Sequence, residues 1–232
     1  MRGKIIVSIP DGSCLYRSMA TGLLLLHNGN MCHGAPWGEE RTITEIAHNV
    51  VARWIRYLVK HSLCYDLTCH IGSKIDGTMS LEIVLHTLGR VILKRGPEYT
   101  FPTKREKRYF IRKLLPTISK PPRQQTACYP CGLTPMELSV SGREEESFET
   151  YCRRLSYYET WGGEAECYVA AQVIGIPIEV FLKKNKKRKF YYVPDNTSIK
   201  IYSLLLLYDP KNNHYDAIAR TNKLPALSSF YS

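Results

Sequence analysis

The sequence predicts an α+β fold: a small central β-sheet flanked by helices, with an enlarged helical middle. Runs of strand length, β-branched or leucine-rich, lie near both ends of the chain, at residues 4–9, 176–182, 190–193 and 199–208 and around His214. Between them, apolar residues recur at i, i+3 and i+4, the period of an amphipathic helix. The sheet is therefore expected from the two ends of the chain and the helices from its centre.

Residues 4–9 read as the first strand. Pro10-Asp11-Gly12 turns it into a leucine-rich helix that carries Cys14 in its first turn. Residues 27–40, rich in Gly, Asn and Pro, read as a loop. Thr42 and Glu45 then stand at capping-box spacing. Behind them Ile43, Ile46, Ala47, Val50, Val51, Trp54, Ile55 and Leu58 form the clearest helical stripe. Leu81, Val84, Leu85, Leu88 and Ile92 repeat it, and Gly96-Pro97 closes that helix. Thr103 and Glu106 cap another, with Phe110, Leu114 and Leu115 on its apolar side and Pro116 as its stop.

Residues 118–133 look irregular. Thr134-Pro135-Met136-Glu137 has Pro and Glu where a helix start favours them, and Phe148, Tyr151, Cys152 and Leu155 mark a further helix. Gly162-Gly163 introduces a helix through Ala165, Tyr168, Val169 and Val173 that ends at Gly175. The lysine-rich run 183–189 is the turn between two strands, and residues 222–232 read as a loose tail.

With 232 residues, 44% hydrophobic and 23% charged, the chain suffices for one domain, taken as residues 1–221, with a helical and irregular insertion at roughly 63–133. Its longest uncharged apolar stretches are far too short to span a bilayer. No signal-peptide pattern opens it, so the expected compartment is the cytoplasm, with the nucleus as alternative, or the host-cell cytoplasm for a chain of viral or parasite origin. Eight cysteines are then read as reduced thiols. The net charge of +11 gathers in residues 183–189 and 104–108 and could attract nucleic acid or an anionic surface. No aromatic residue interleaves the lysine run, which weakens base stacking as its purpose.

Alone, Cys14 reads as a small buried hydrophobe. Its position gives it a second meaning. Unpaired N–H groups at a helix N-terminus stabilise a thiolate, lower its pKa and can hold an oxyanion. Near the other end stands Asn213-His214-Tyr215-Asp216. In an extended segment His214 and Asp216 point to one face and Tyr215 to the other. An imidazole oriented by a carboxylate is the general base that a cysteine nucleophile requires.

Asp11-Gly12-Ser13-Cys14-Leu15-Tyr16-Arg17-Ser18 resembles the nucleophile motif of the ovarian tumour (OTU) family of cysteine proteases, which are deubiquitinases. Asn213-His214-Tyr215-Asp216 resembles that family's histidine motif. Thr160-Trp161-Gly162-Gly163-Glu164-Ala165-Glu166 resembles its Trp-Gly-Gly segment, and the three blocks fall in the expected order. The resemblance implies a papain-like cysteine protease that releases ubiquitin, polyubiquitin or another ubiquitin-like modifier without metal or organic cofactor. Cys14 would be the nucleophile, His214 the base and Asp216 its orienting carboxylate. Asp11 would belong to the active-site loop, where shaping the turn is the favoured role. Backbone N–H groups of Asp11, Gly12 and Cys14 would form the oxyanion hole. Trp161, Gly162, Gly163 and Tyr215 would border the substrate cleft, and Glu159, Glu164 or Asp209 would meet the modifier's arginines. A catalytically inactive ubiquitin-binding module and a basic nucleic-acid-associated protein are the alternatives.

Cys128-Tyr129-Pro130-Cys131 has zinc-ligand spacing without an identifiable second pair, and paired loop thiols are the simpler reading. His48 and His86 are read as ordinary helix residues.

Overall fold

The computed structural model describes residues 3–29, 33–65, 81–114, 150, 154–155, 160–185, 187–194 and 202–220. The expected irregular stretch 118–133, the helix start at Thr134, most of the helix around Tyr151, and the tail 222–232 lie outside the described residues, as do Cys128 and Cys131.

Five helices and five strands are found among the described residues, in the order β1 (Gly3–Ile6), α1 (Cys14–Asn28), α2 (Ile43–Tyr65), α3 (Leu81–Arg95), α4 (Lys104–Leu114), α5 (Glu164–Ile174), β2 (Ile178–Leu182), β3 (Arg188–Tyr192), β4 (Leu204–Asp209) and β5 (His214–Arg220). The sheet runs β1-β5-β4-β2-β3, so the first strand and the last are neighbours. Gly3 pairs with Arg220 and Ile6 with Ala217, antiparallel. The β2–β4 pair is parallel and the remaining pairs are antiparallel. The fold is α+β with a mixed sheet.

The helices start and stop where local chemistry dictates. At the head of α2 the Thr42 N–H donates to Glu45 Oε2 at 2.8 Å and the Glu45 N–H to Thr42 Oγ1 at 3.3 Å. These reciprocal bonds satisfy donors that the first helical turn would otherwise leave unpaired. At α4 the Glu106 N–H donates to Thr103 Oγ1. Helices α1 and α5 end in left-handed glycines, Gly29 and Gly175.

Helix α1 lies at the centre. Residues 14–21 are all buried, and the helix packs on α2, β4 and β5. Gly22 permits this approach, since a Cβ there would stand 2.9 Å from Leu204 Cδ2. The α3 stripe of Val84, Leu85, Leu88 and Ile92 enters the same hydrophobic core. Helix α3 thus packs as part of the same core. Helix α4 is tied down by Lys107 Nζ, 2.9 Å from the largely buried Glu40 carboxylate.

Three strand expectations are corrected. The first strand stops at Ile6, because the Ser8 N–H turns out of the ladder to donate to Asp216 Oδ1 and the Ser8 hydroxyl meets that of Ser18. The strand expected from residue 199 begins at Leu204, whose N–H donates to the Pro177 carbonyl. The strand expected at 190–193 runs instead from Arg188 to Tyr192, with a bulge in its partner between Val180 and Phe181.

Leu88 is fully buried. Leu88→Ala is expected to destabilise the whole chain by about 2–5 kcal/mol. Urea unfolding should show one cooperative transition displaced to lower denaturant. A separate early transition for α3 would mean that the helix is not integral to the core.

Candidate active site

Cys14 is the first residue of α1 and His214 the first of β5. Two hundred residues of chain separate them, and short contacts bring their neighbourhoods together. The Ser18 hydroxyl donates to the Tyr215 carbonyl at 2.9 Å, and the Tyr215 N–H is directed at the Cys14 sulfur. His214 Nε2 lies 3.0 Å from Asp216 Oδ1, which also accepts the Ser8 N–H at 3.0 Å. A carboxylate only accepts, so it holds the ring proton on Nε2 and leaves the lone pair on Nδ1. Among the described residues, that buried Nδ1 has no hydrogen-bond partner.

His214 and Asp216 share one face of β5, as their spacing requires. Cross-strand register puts them with Asp209 and Leu207 of β4. Tyr215 points the other way. Its ring lies tilted against Tyr208, centroids 4.7 Å apart, and its hydroxyl meets the buried Cys167 thiol. Its side chain is therefore a core group and not a cleft wall, a correction to the sequence reading; its contribution to the site is made by the backbone.

The turn before Cys14 is fixed by charge. Asp11 Oδ1 accepts the Ser13 N–H at 2.9 Å, and its two carboxylate oxygens take Arg17 Nε at 3.2 and 3.0 Å. The guanidinium is completely buried and also donates to Asn49 Oδ1 and the Ala35 carbonyl, while Trp37 covers it at 4.0 Å. Asp11 thus shapes the turn through these bonds. Two of the three N–H groups expected to hold an oxyanion are already bonded within the turn. The Asp11 N–H donates to the Ile9 carbonyl and the Cys14 N–H to the Asp11 carbonyl. Gly12 alone of the three has no such bond among the described residues.

The Trp161 block is stapled to the same turn by Arg56 of α2. Its Nη1 donates to Ser13 Oγ at 2.7 Å, and its other nitrogens reach the Leu155 and Thr160 carbonyls. Gly162 is buried against α1, where a Cβ would stand 2.6 Å from Leu15 Cδ2. The Gly163 N–H donates to Glu166 Oε2 at the head of α5. Trp161 is half-buried on the core. Two of the acidic residues considered for the modifier's arginines are occupied, Asp209 by Lys183 and Glu164 by Lys189.

Arg17, Arg56 and Ser8 escaped the sequence reading. A signal for Arg17 existed, since it is the one charged residue between positions 14 and 26. His48 is a core histidine, its pKa pushed down to about 4 by burial and then by the Arg17 charge.

The thiol itself departs from expectation. Cys14 is 1% exposed, and burial pushes its pKa from the ordinary 9.0 up to about 11. The Tyr215 N–H opposes that rise, Asp11 adds to it, and the Leu15 N–H and Asp216 contribute less. Desolvation outweighs the helix N-terminus. With a pKa raised by burial, the Cys14 thiol is neutral at pH 7.

Neither a protein-family model nor a curated protein matches the chain. Among solved structures it is similar to the viral OTU domain protease from Taggert virus, at 14% identity and TM-score 0.42 over 95% of this chain and 82% of that one. It is similar also to the Hazara virus OTU bound to ubiquitin, at 12% and 0.41 over 95% and 83%. The OTU domain of OTUD1 matches at 13% and 0.42 over 93% and 85%.

The difference in ultraviolet thiolate absorbance between the wild type and Cys14→Ala is expected to be flat through neutral pH and to rise near pH 11. A folded-state pKa above the unfolded one means that folding favours the protonated thiol, so stability should fall as pH climbs from about 9 towards 11. A difference step below pH 8 would show instead that the thiolate is preformed.

Proposed function

We propose that the chain is a thiol-dependent deubiquitinase that cleaves isopeptide bonds after the C-terminal Gly-Gly of ubiquitin or a ubiquitin-like modifier. The observation that carries this reading is the unpartnered Nδ1 of His214, on a ring held by Asp216, beside a strand whose next N–H meets the Cys14 sulfur. Ubiquitin as the substrate comes from the resemblance of the three sequence blocks to the OTU family.

In this mechanism Nδ1 takes the Cys14 proton while the sulfur bonds to the glycine carbonyl carbon. The tetrahedral oxyanion is met by the Gly12 N–H, a donor of a kind typically worth about 3 kcal/mol of barrier. His214 returns the proton to the departing lysine amine as the carbon–nitrogen bond breaks. Water, deprotonated by His214, then cleaves the thioester and restores the thiol. Asp216 keeps the ring in one tautomer throughout. Concerted proton transfer suits a thiol whose resting pKa is high.

A second reading, a ubiquitin-binding module without turnover, draws support from the depth of Cys14 at 1% exposure. A ubiquitin probe ending in an electrophile separates the two: labelling at Cys14 supports the enzyme, and binding without labelling supports the module.

With a panel of defined di-ubiquitins, the wild type is expected to release monomer and Cys14→Ala to release none. His214→Ala should lower kcat/KM about 10²- to 10⁴-fold. Asp216→Asn should lower it while leaving KM close to the wild-type value. Cleavage that persists in Cys14→Ala would sink the assignment.

A further inference from the structure

The two basic stretches differ in a way that the sequence hides. In the lysine-rich turn and its flanking strand, Lys183 is paired with Asp209, Arg188 with Glu179 and Lys189 with Glu164. Much of that charge is neutralised locally. In the other stretch Lys107 is paired with Glu40, but Arg105 lines a cleft of about 1130 Å³ between α3 and α4. Arg90, Lys94 and Arg95 line it from α3, Arg105 and Lys113 from α4, and among the described residues Glu106 is the only acidic one in the lining. Among the described residues, none of these five cations is in an ion pair.

The cleft also has the aromatic groups that the lysine turn lacks. Arg105, Tyr109 and Lys113 stand four residues apart on α4 and so share one face, over about 12 Å of helix. Tyr109 sits between the two cations, 63% exposed, with Lys113 Nζ 5.5 Å from its ring centroid. Phe101 and Phe110, centroids 5.0 Å apart, add ring surface to the lining.

We propose that this cleft binds single-stranded nucleic acid. Unneutralised cations on both walls grip phosphates, and the exposed ring between two of them stacks a base. An acidic peptide would satisfy the cations but make no use of the exposed ring, so the observations favour the polynucleotide. The proposal is independent of the thiol chemistry, which involves none of these residues.

The test is fluorescence anisotropy of the full chain with a labelled single strand of about 12 nucleotides, RNA and DNA of one sequence in separate arms to tell the two sources apart. R90A/K94A/R105A is expected to weaken binding at least tenfold and to flatten the dependence of log K on log[salt] by about 0.7 for each phosphate that is no longer neutralised. Tyr109→Ala should weaken it about fivefold or more with the salt slope unchanged, and Tyr109→Phe should restore it. Circular dichroism confirms that each variant is folded. Wild-type affinity in the triple variant, loss of affinity in K184A/K187A instead, no effect of Tyr109→Ala, or equal affinity for a glutamate-rich peptide would each overturn the proposal.

Discussion

The structure depends on a seam of hydrogen bonds joining the first eighteen residues to the last strand. The Ser8 N–H is held by Asp216, the Ser18 hydroxyl by the Tyr215 carbonyl, and the Cys14 sulfur faces the Tyr215 N–H. These bonds close a loop of about two hundred residues, which is entropically costly but only logarithmically so. The pairing of β1 with β5 shares that cost. Once the strands are in register, backbone geometry places His214 and Asp216 together on one face of β5. A shift of one residue would turn His214 and Asp216 to the opposite face of the sheet.

Around the seam, two buried arginines hold the turn in shape. Arg17 binds the Asp11 carboxylate from inside the core, and Arg56 ties the Ser13 hydroxyl to the segment before Trp161. Both are nearly inaccessible to solvent, so each must be satisfied in place. Removing the carboxylate would leave a buried cation without its counter-charge, which makes Asp11 important to the fold whatever its distance from the chemistry. The same burial raises the thiol pKa. One environment thus stabilises the turn and keeps the sulfur quiet at rest.

Much of this was legible from residue types. The period-two placement of His214 and Asp216 appears as a 3.0 Å contact, and the Thr42–Glu45 capping box as two hydrogen bonds. The α3 stripe appears as core. What could not be read depended on long-range packing. Propensity favoured continuing the first strand to residue 9, and nothing local announces that the Ser8 N–H prefers a carboxylate 208 positions away. The helix N-terminus argued for an acidic thiol, and only three-dimensional burial reverses it. Tyr215 could have lined a cleft by alternation alone; its partners Tyr208 and Cys167 make it core. Local charge treats both basic stretches alike, because ion pairing with distant acids is invisible in one dimension.

The order of strands in the sheet has a consequence for how the protein is made. β1 leaves the ribosome first and β5 last, yet β5 lies between β1 and the rest of the sheet. Until it emerges, the opening strand lacks the strand it pairs with, and His214 and Asp216 are not yet made. Through most of synthesis, then, the β1 segment waits without the strand that pairs with it. The five-stranded sheet is completed only when β5 inserts between β1 and β4, a single late event.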